Sequence, residues 1–111
     1  MAIGDRIPKE LGQAVLSNVA STIFANSSAS FRTQLTQIFI ANTGASSRVI
    51  TLYKNGVAAG NQIANSITLD ANSSTVLTVQ LVFTDTQTFS AKQDAGADVT
   101  ITCEGVVEQI D

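Results

Sequence analysis

The chain has 111 residues, a net charge of −3, 44% hydrophobic residues and only 14% charged ones. A chain of this length fills one domain core and not two, and its aliphatic content excludes a disordered polymer. Its six lysines and arginines are scattered, which excludes the basic stripe that nucleic-acid binding requires.

Residues 1–12, MAIGDRIPKELG, differ in character from the rest of the chain. Asp5, Arg6, Lys9 and Glu10 crowd around Pro8, the only proline. The segment has no apolar core of signal-peptide length and little to bury. It reads as an N-terminal arm that orders against a neighbouring subunit through Ile3, Arg6, Ile7, Pro8 and Leu11, ahead of a domain over 13–111. A frayed terminus is the plain alternative. Lys9 to Ala20 fits either a short helix or a strand, and Gly12 with its β-branched neighbours favours strand.

Strand signals dominate from there. Arg32 to Ala41, RTQLTQIFIA, is rich in β-branched and aromatic residues and ends in the turn-like Asn42 to Ser47. Arg48 to Lys54, RVITLYK, places Ile50 and Leu52 inward and Thr51 and Tyr53 outward. Asn55-Gly56 then marks a tight hairpin, because a type I′ turn needs positive φ at both central residues, and Val57 to Ala59 opens the return strand. In the next run Ile63, Ile67 and Leu69 share one face and Ala64, Ser66 and Thr68 the other.

Asp70 to Ser73 is a polar turn. Thr75 to Phe83, TVLTVQLVF, puts Leu77, Val79, Leu81 and Phe83 on one face and Val76, Thr78, Gln80 and Val82 on the other. Thr86 to Ala91 is a shorter strand, Lys92 to Gly96 a loop, and Val99 to Cys103 a strand that Glu104-Gly105 separates from Val106 to Ile110. This rhythm of about eight short strands, with no helix-length periodic segment between them, predicts an all-β fold. The expected form is a single antiparallel β-sandwich, jelly-roll or immunoglobulin-like. No segment approaches the roughly 20 apolar residues of a membrane span.

Chemistry finds little to work with. There is no histidine, so the many Ser and Thr lack the usual base, and Lys9, Lys54 and Lys92 sit beside turns or the terminus. Asp5, Asp70, Asp85, Asp94, Asp98 and Asp111 fall mostly in turns, where Asp caps backbone N–H groups, and Glu10, Glu104 and Glu108 lie near chain or strand ends. Cys103 is the only cysteine, which rules out an intrachain disulfide; it alternates with Val99 and Ile101 as a buried small hydrophobe. Zinc lacks ligands, and calcium has only the Asp94 to Asp98 loop, without EF-hand spacing. With no Trp and one Tyr, a stacking platform for sugars is missing, and the five Phe belong to the core. The sequons at Asn26 and Asn72 carry little weight, because nothing directs the chain to a glycosylating compartment. No catalytic residue, cofactor or metal is expected: the chain reads as a non-enzyme made in a cytoplasm.

Two blocks carry a resemblance. FRTQLTQIFIANTGASSRVITLYKNG and TFSAKQDAGADVTITCEGVVEQI, about half the chain, resemble a strand–turn–strand pattern of small tailed-bacteriophage virion proteins. The resemblance implies a virion component made in the host cytoplasm: a capsid decoration protein, a fibre piece or a head or tail accessory subunit. It implies other capsid or tail proteins as partners and a symmetric homo-oligomer, trimers among the expected sizes, without nucleic acid or membrane. Val76, Val82 and Ala64, on the nominally outer faces, are candidate subunit contacts. The rival reading is a receptor- or glycan-binding module that uses the loops Asn42 to Ser47 and Lys92 to Asp98.

Overall fold

The computed structural model describes residues 2–111. Eight strands follow one another: β1 (Arg6–Val15), β2 (Ser21–Ala25), β3 (Phe31–Asn42), β4 (Arg48–Lys54), β5 (Gln62–Leu69), β6 (Ser73–Phe83), β7 (Thr88–Gln93) and β8 (Val99–Gln109), with one 3₁₀ turn at Ala59–Asn61. They form two four-stranded antiparallel sheets, β1-β8-β3-β6 and β2-β7-β4-β5.

The pairing follows a single rule. β1 pairs with β8, β2 with β7, β3 with β6 and β4 with β5. A long antiparallel ribbon folded at the β4–β5 connection and then rolled up gives those pairs, with β3–β8 and β4–β7 contacts where the roll meets itself. This is the jelly roll, and it decides between the two topologies that strand counting leaves open.

The core fills the space between the sheets. Leu35, Ile38, Ile40, Ile101 and Cys103 from one sheet meet Ile50, Leu52, Phe89 and Ala91 from the other. At one end Phe24, Phe83 and Phe89 interlock, with ring centroids 5.0 to 6.3 Å apart in edge and offset geometries. Phe31 and Phe39 are only half-buried, so three of the five phenylalanines are core residues.

Several elements differ from the sequence expectation, each for a local reason. β1 runs through the boundary drawn at residue 12: residues 6–12 pair with β8 and form a sheet edge, and among the described residues only 2–5 precede the strand. A backbone that must satisfy its polar groups takes a free sheet edge even when the side chains have little to bury. β8 is continuous through Glu104-Gly105. Gly105 does not break the strand; a Cβ there would overlap the Gln34 carbonyl oxygen, so glycine permits close strand approach.

The Asn55-Gly56 hairpin is longer than two residues. Both residues have positive φ, 59° and 139°, but the chain then makes the 3₁₀ turn before β5. Asn61 holds this loop, donating from Nδ2 to the carbonyls of Lys54 (3.2 Å) and Asn55 (3.0 Å) and accepting from the Ala58 amide at 3.2 Å. β5 slips phase at Ser66, which has φ 67°: Ile67 faces Ile50, and Ala64 instead of Ile63 faces Leu52. In β4, Thr51 and Tyr53 are buried along with Ile50 and Leu52, since the strand is interior and Tyr53 lies directly across from the small Ser90.

Candidate interaction surface

The groups that could do chemistry are dispersed or already engaged. Cys103 is wholly buried, and desolvation pushes its thiol up from 9.0 to about 12, so it is no nucleophile at neutral pH. In the loop considered for calcium, one Asp98 oxygen takes both Arg48 Nε (3.0 Å) and Nη2 (2.8 Å), while Asp94 accepts from the Val49 amide at 3.1 Å. Among the described residues no group of three or more His, Cys, Asp or Glu side chains comes together to hold a metal. Lys54 donates to Gln87 Oε1 at 3.3 Å and lies 5.0 Å from the Phe83 ring centroid.

Two buried asparagines tie the loops down. Asn42 donates to the carbonyls of Ser46 (2.8 Å), Leu69 (3.3 Å) and Asp70 (3.1 Å) and accepts from the Gly44 amide at 3.0 Å. Asn26 donates to the carbonyls of Ser28 (3.0 Å), Phe31 (2.8 Å) and Asp85 (2.8 Å) and accepts from Thr33 Oγ1 at 2.7 Å. Its sequon is therefore structural: the nitrogen that a glycan would need is fully used. The loops Asn42 to Ser47 and Lys92 to Asp98 share one end of the sandwich, where the Thr43 amide donates to the Asp98 carbonyl at 3.0 Å.

The five residues singled out near the N-terminus do not form one patch. Ile3 is 70% exposed ahead of β1, and Ile7 is 47% exposed near the start of the strand. Arg6 donates to Gln34 Oε1 at 3.4 Å, beside the ion pair of Arg32 with Glu108. Pro8 stands opposite Val106. Leu11 turns the other way at a β-bulge and packs against the core. The terminus itself is pinned: the Gly4 amide donates to the Gln109 carbonyl at 2.7 Å and the Gln109 amide to the Asp5 carbonyl at 3.1 Å.

The most apolar accessible feature lies on the opposite side. The sandwich has two seams where edge strands of the two sheets face each other. β1 and β2 close one: at Gly12 a Cβ would overlap the Ile23 carbonyl oxygen. At the other, β5 and β6 touch at few points and leave a groove of about 420 Å³ between them. Ala64 and Ile67 line it from β5, Leu77, Val79 and Leu81 from β6, and Ile38 and Leu52 form its floor. Leu77, Val79 and Leu81 alternate inward as the sequence indicates, but they are only half-buried. Each forgoes roughly 1 kcal/mol of the transfer energy that full burial would bring. The sequence pattern shows which way these side chains point; it carries no sign that nothing covers them.

No protein-family model and no curated protein sequence matches this chain. Solved structures share its fold. A chain of the pili described as Bacillus endospore appendages superposes with a TM-score of 0.56 at 15% identity, covering 99% of this chain and 93% of that one. A chain of the acid-stable capsid of Helicobacter pylori bacteriophage KHP30 gives 0.56 at 10% identity, covering 99% and 90%. The Drosophila NLP core, described with pentamer formation and histone binding, gives 0.50 at 12% identity, covering 88% and 98%. At these identities the likeness is one of fold.

Proposed function

We propose that this chain is a non-catalytic structural subunit of a bacteriophage particle, a capsid decoration or head or tail accessory protein that binds a symmetric lattice as a homo-oligomer. The observation that carries this reading is the pairing of a complete jelly roll with one open, apolar seam, in a molecule whose single thiol is buried and whose Asp98 is held by Arg48. The phage element of the reading comes from the two resembling sequence blocks. They fall on β3–β4 and β7–β8, the interior strands of both sheets. Fold likeness to a phage capsid chain and to a pilus chain agrees with assembly as the task of such a domain. Lattice binding by many weak contacts gains its strength from avidity.

Light scattering of the purified protein over a concentration series, with electron microscopy of the same samples, tests the proposal. A discrete oligomer or an ordered assembly is the expected result. The rival reading has one observation in its favour, the shared end of the loops Asn42 to Ser47 and Lys92 to Asp98. A strict monomer that binds bacterial cells or a glycan array would overturn assembly in favour of recognition.

A further inference from the structure

The four edge strands are unequally protected. β1 carries Arg6, Pro8, Lys9 and Glu10, and both charge and a missing N–H discourage a further strand. β2 has five residues and a register shift, and β5 is bent at Ser66. β6 is neither charged, proline-bearing, short nor bent, although its ladder to β3 shifts register between Leu81 and Thr78. Its eleven residues, SSTVLTVQLVF, include no charge and no proline, and they alternate without interruption. Its one edge is bonded to β3; among the described residues no strand meets the other. That free edge flanks the apolar groove.

The stretch Val76 to Val82, VLTVQLV, has the same order of apolar and polar residues from either end. An antiparallel copy centred on Val79 sets Val76 opposite Val82, Leu77 opposite Leu81, and Thr78 opposite Gln80. Both faces then match at once. The leucines meet on the groove side, and the valines, 52% and 45% exposed, meet on the outer side. We infer that β6 is a self-pairing edge: a second copy of this chain joins it antiparallel across a two-fold axis at Val79, making one sheet of eight strands.

Several features select a second copy as the occupant. A two-fold contact uses the same patch on both partners, so the patch must complement itself, and β6 does so in polarity and in charge. No like charges meet because none is present. The strip is roughly 36 Å long at the usual rise per residue and ~20 Å deep for two packed sheets. That is roughly 700 Å² per copy, near the ~800 Å² per partner of a standard-size interface. The pairing brings the partner's leucines over the half-buried Leu77 and Leu81. It also ends at two copies, since the far edge of the same sheet is the guarded β1. The contact deepens the assembling-subunit reading by naming one of its interfaces.

The test uses the register. The parent protein should sediment as a dimer whose proportion grows with concentration. Val76→Lys alone and Val82→Glu alone each alter an exposed side chain, so circular dichroism should be unchanged while dimerisation weakens by about tenfold or more. The double variant Val76→Lys/Val82→Glu sets opposite charges across the axis at both sites and should dimerise again. Val79→Cys should cross-link copy to copy with a mild oxidant or a short bis-maleimide, while buried Cys103 stays silent in the parent. A parent that is monomeric at every concentration, single variants that dimerise as the parent does, or a double variant that stays monomeric would each overturn the pairing. So would cross-linking of Val79→Cys only to a different particle protein, which assigns the edge to a foreign strand. Ordered assemblies that survive Val76→Lys sink this contact alone, whereas a monomer that binds cells or glycans sinks the assembly reading with it.

Discussion

Single residues do most to hold the ends of this sandwich. Asn42 satisfies carbonyls from the β3–β4 loop and from the β5–β6 turn, so one side chain joins two connections that are far apart in sequence. Asn42→Ala strands those buried carbonyls, and a loss of ~2–4 kcal/mol in urea unfolding is expected, with the same direction for Asn26→Ala. Neither role is legible in the sequence, where Asn42 looks like a turn residue and Asn26 like part of a sequon; their partners are backbone groups up to 59 positions away. Cys103 is the opposite case, since alternation alone places it in the core. Its folded thiol holds a proton more tightly than the unfolded one, from 9.0 up to about 12. That contribution is complete below the unfolded value and is lost as pH rises from 9.0 towards about 12. Stability measured through that window should therefore fall more steeply for the parent than for Cys103→Ala, and equal slopes would show that the thiol contributes nothing.

Among the strands, those with strong alternation or dense β-branching match expectation to within two residues: β3, β4 and β6 do so. The misses occur where backbone geometry overrides side-chain period. β5 slips at Ser66, and a period-two reading carried through that point puts Ala64 and Ile63 on the wrong faces. β2 lacks an alternating run long enough to stand out, and the structure supplies it through β7. β1 reads as an arm because it is charged and holds the proline, yet its rungs to β8 run from Arg6 to Val15. Removing residues 1–12 should therefore unfold the protein or lower its melting temperature by many degrees. Removing residues 2–4 should leave the melting temperature within a few degrees. A deletion meant to probe docking by this segment would report loss of the fold, so exposed-residue changes such as Ile3→Asp and Ile7→Asp are the cleaner probes.

Across the molecule, the rolled ribbon sorts the strands into interior and edge. The two blocks that resemble virion proteins coincide with the interior strands β3, β4, β7 and β8, while the candidate contacts Val76, Val82 and Ala64 lie on edge strands. The fold class is legible because turn spacing and alternation are local. The topology is not, because β1–β8 pairing links residues almost a chain length apart and leaves no local mark. Such nonlocal pairing also places refolding in the slow range for small domains, on the order of milliseconds to seconds by stopped-flow fluorescence of Tyr53.

The antiparallel β1–β8 ladder has a mechanical consequence. Arg6 pairs with Glu108 at one end of it and Val15 with Thr100 at the other, so both chain ends leave from the same end of the ladder. A force applied between the two ends peels this edge open one rung at a time, as a zipper opens. A force applied between residue 6 and residue 99 instead loads all the rungs together in shear. In an optical trap the first geometry should yield at clearly lower force than the second. A domain with this ladder resists tearing when it is gripped along its flank, and gives way readily when it is tugged by its tails.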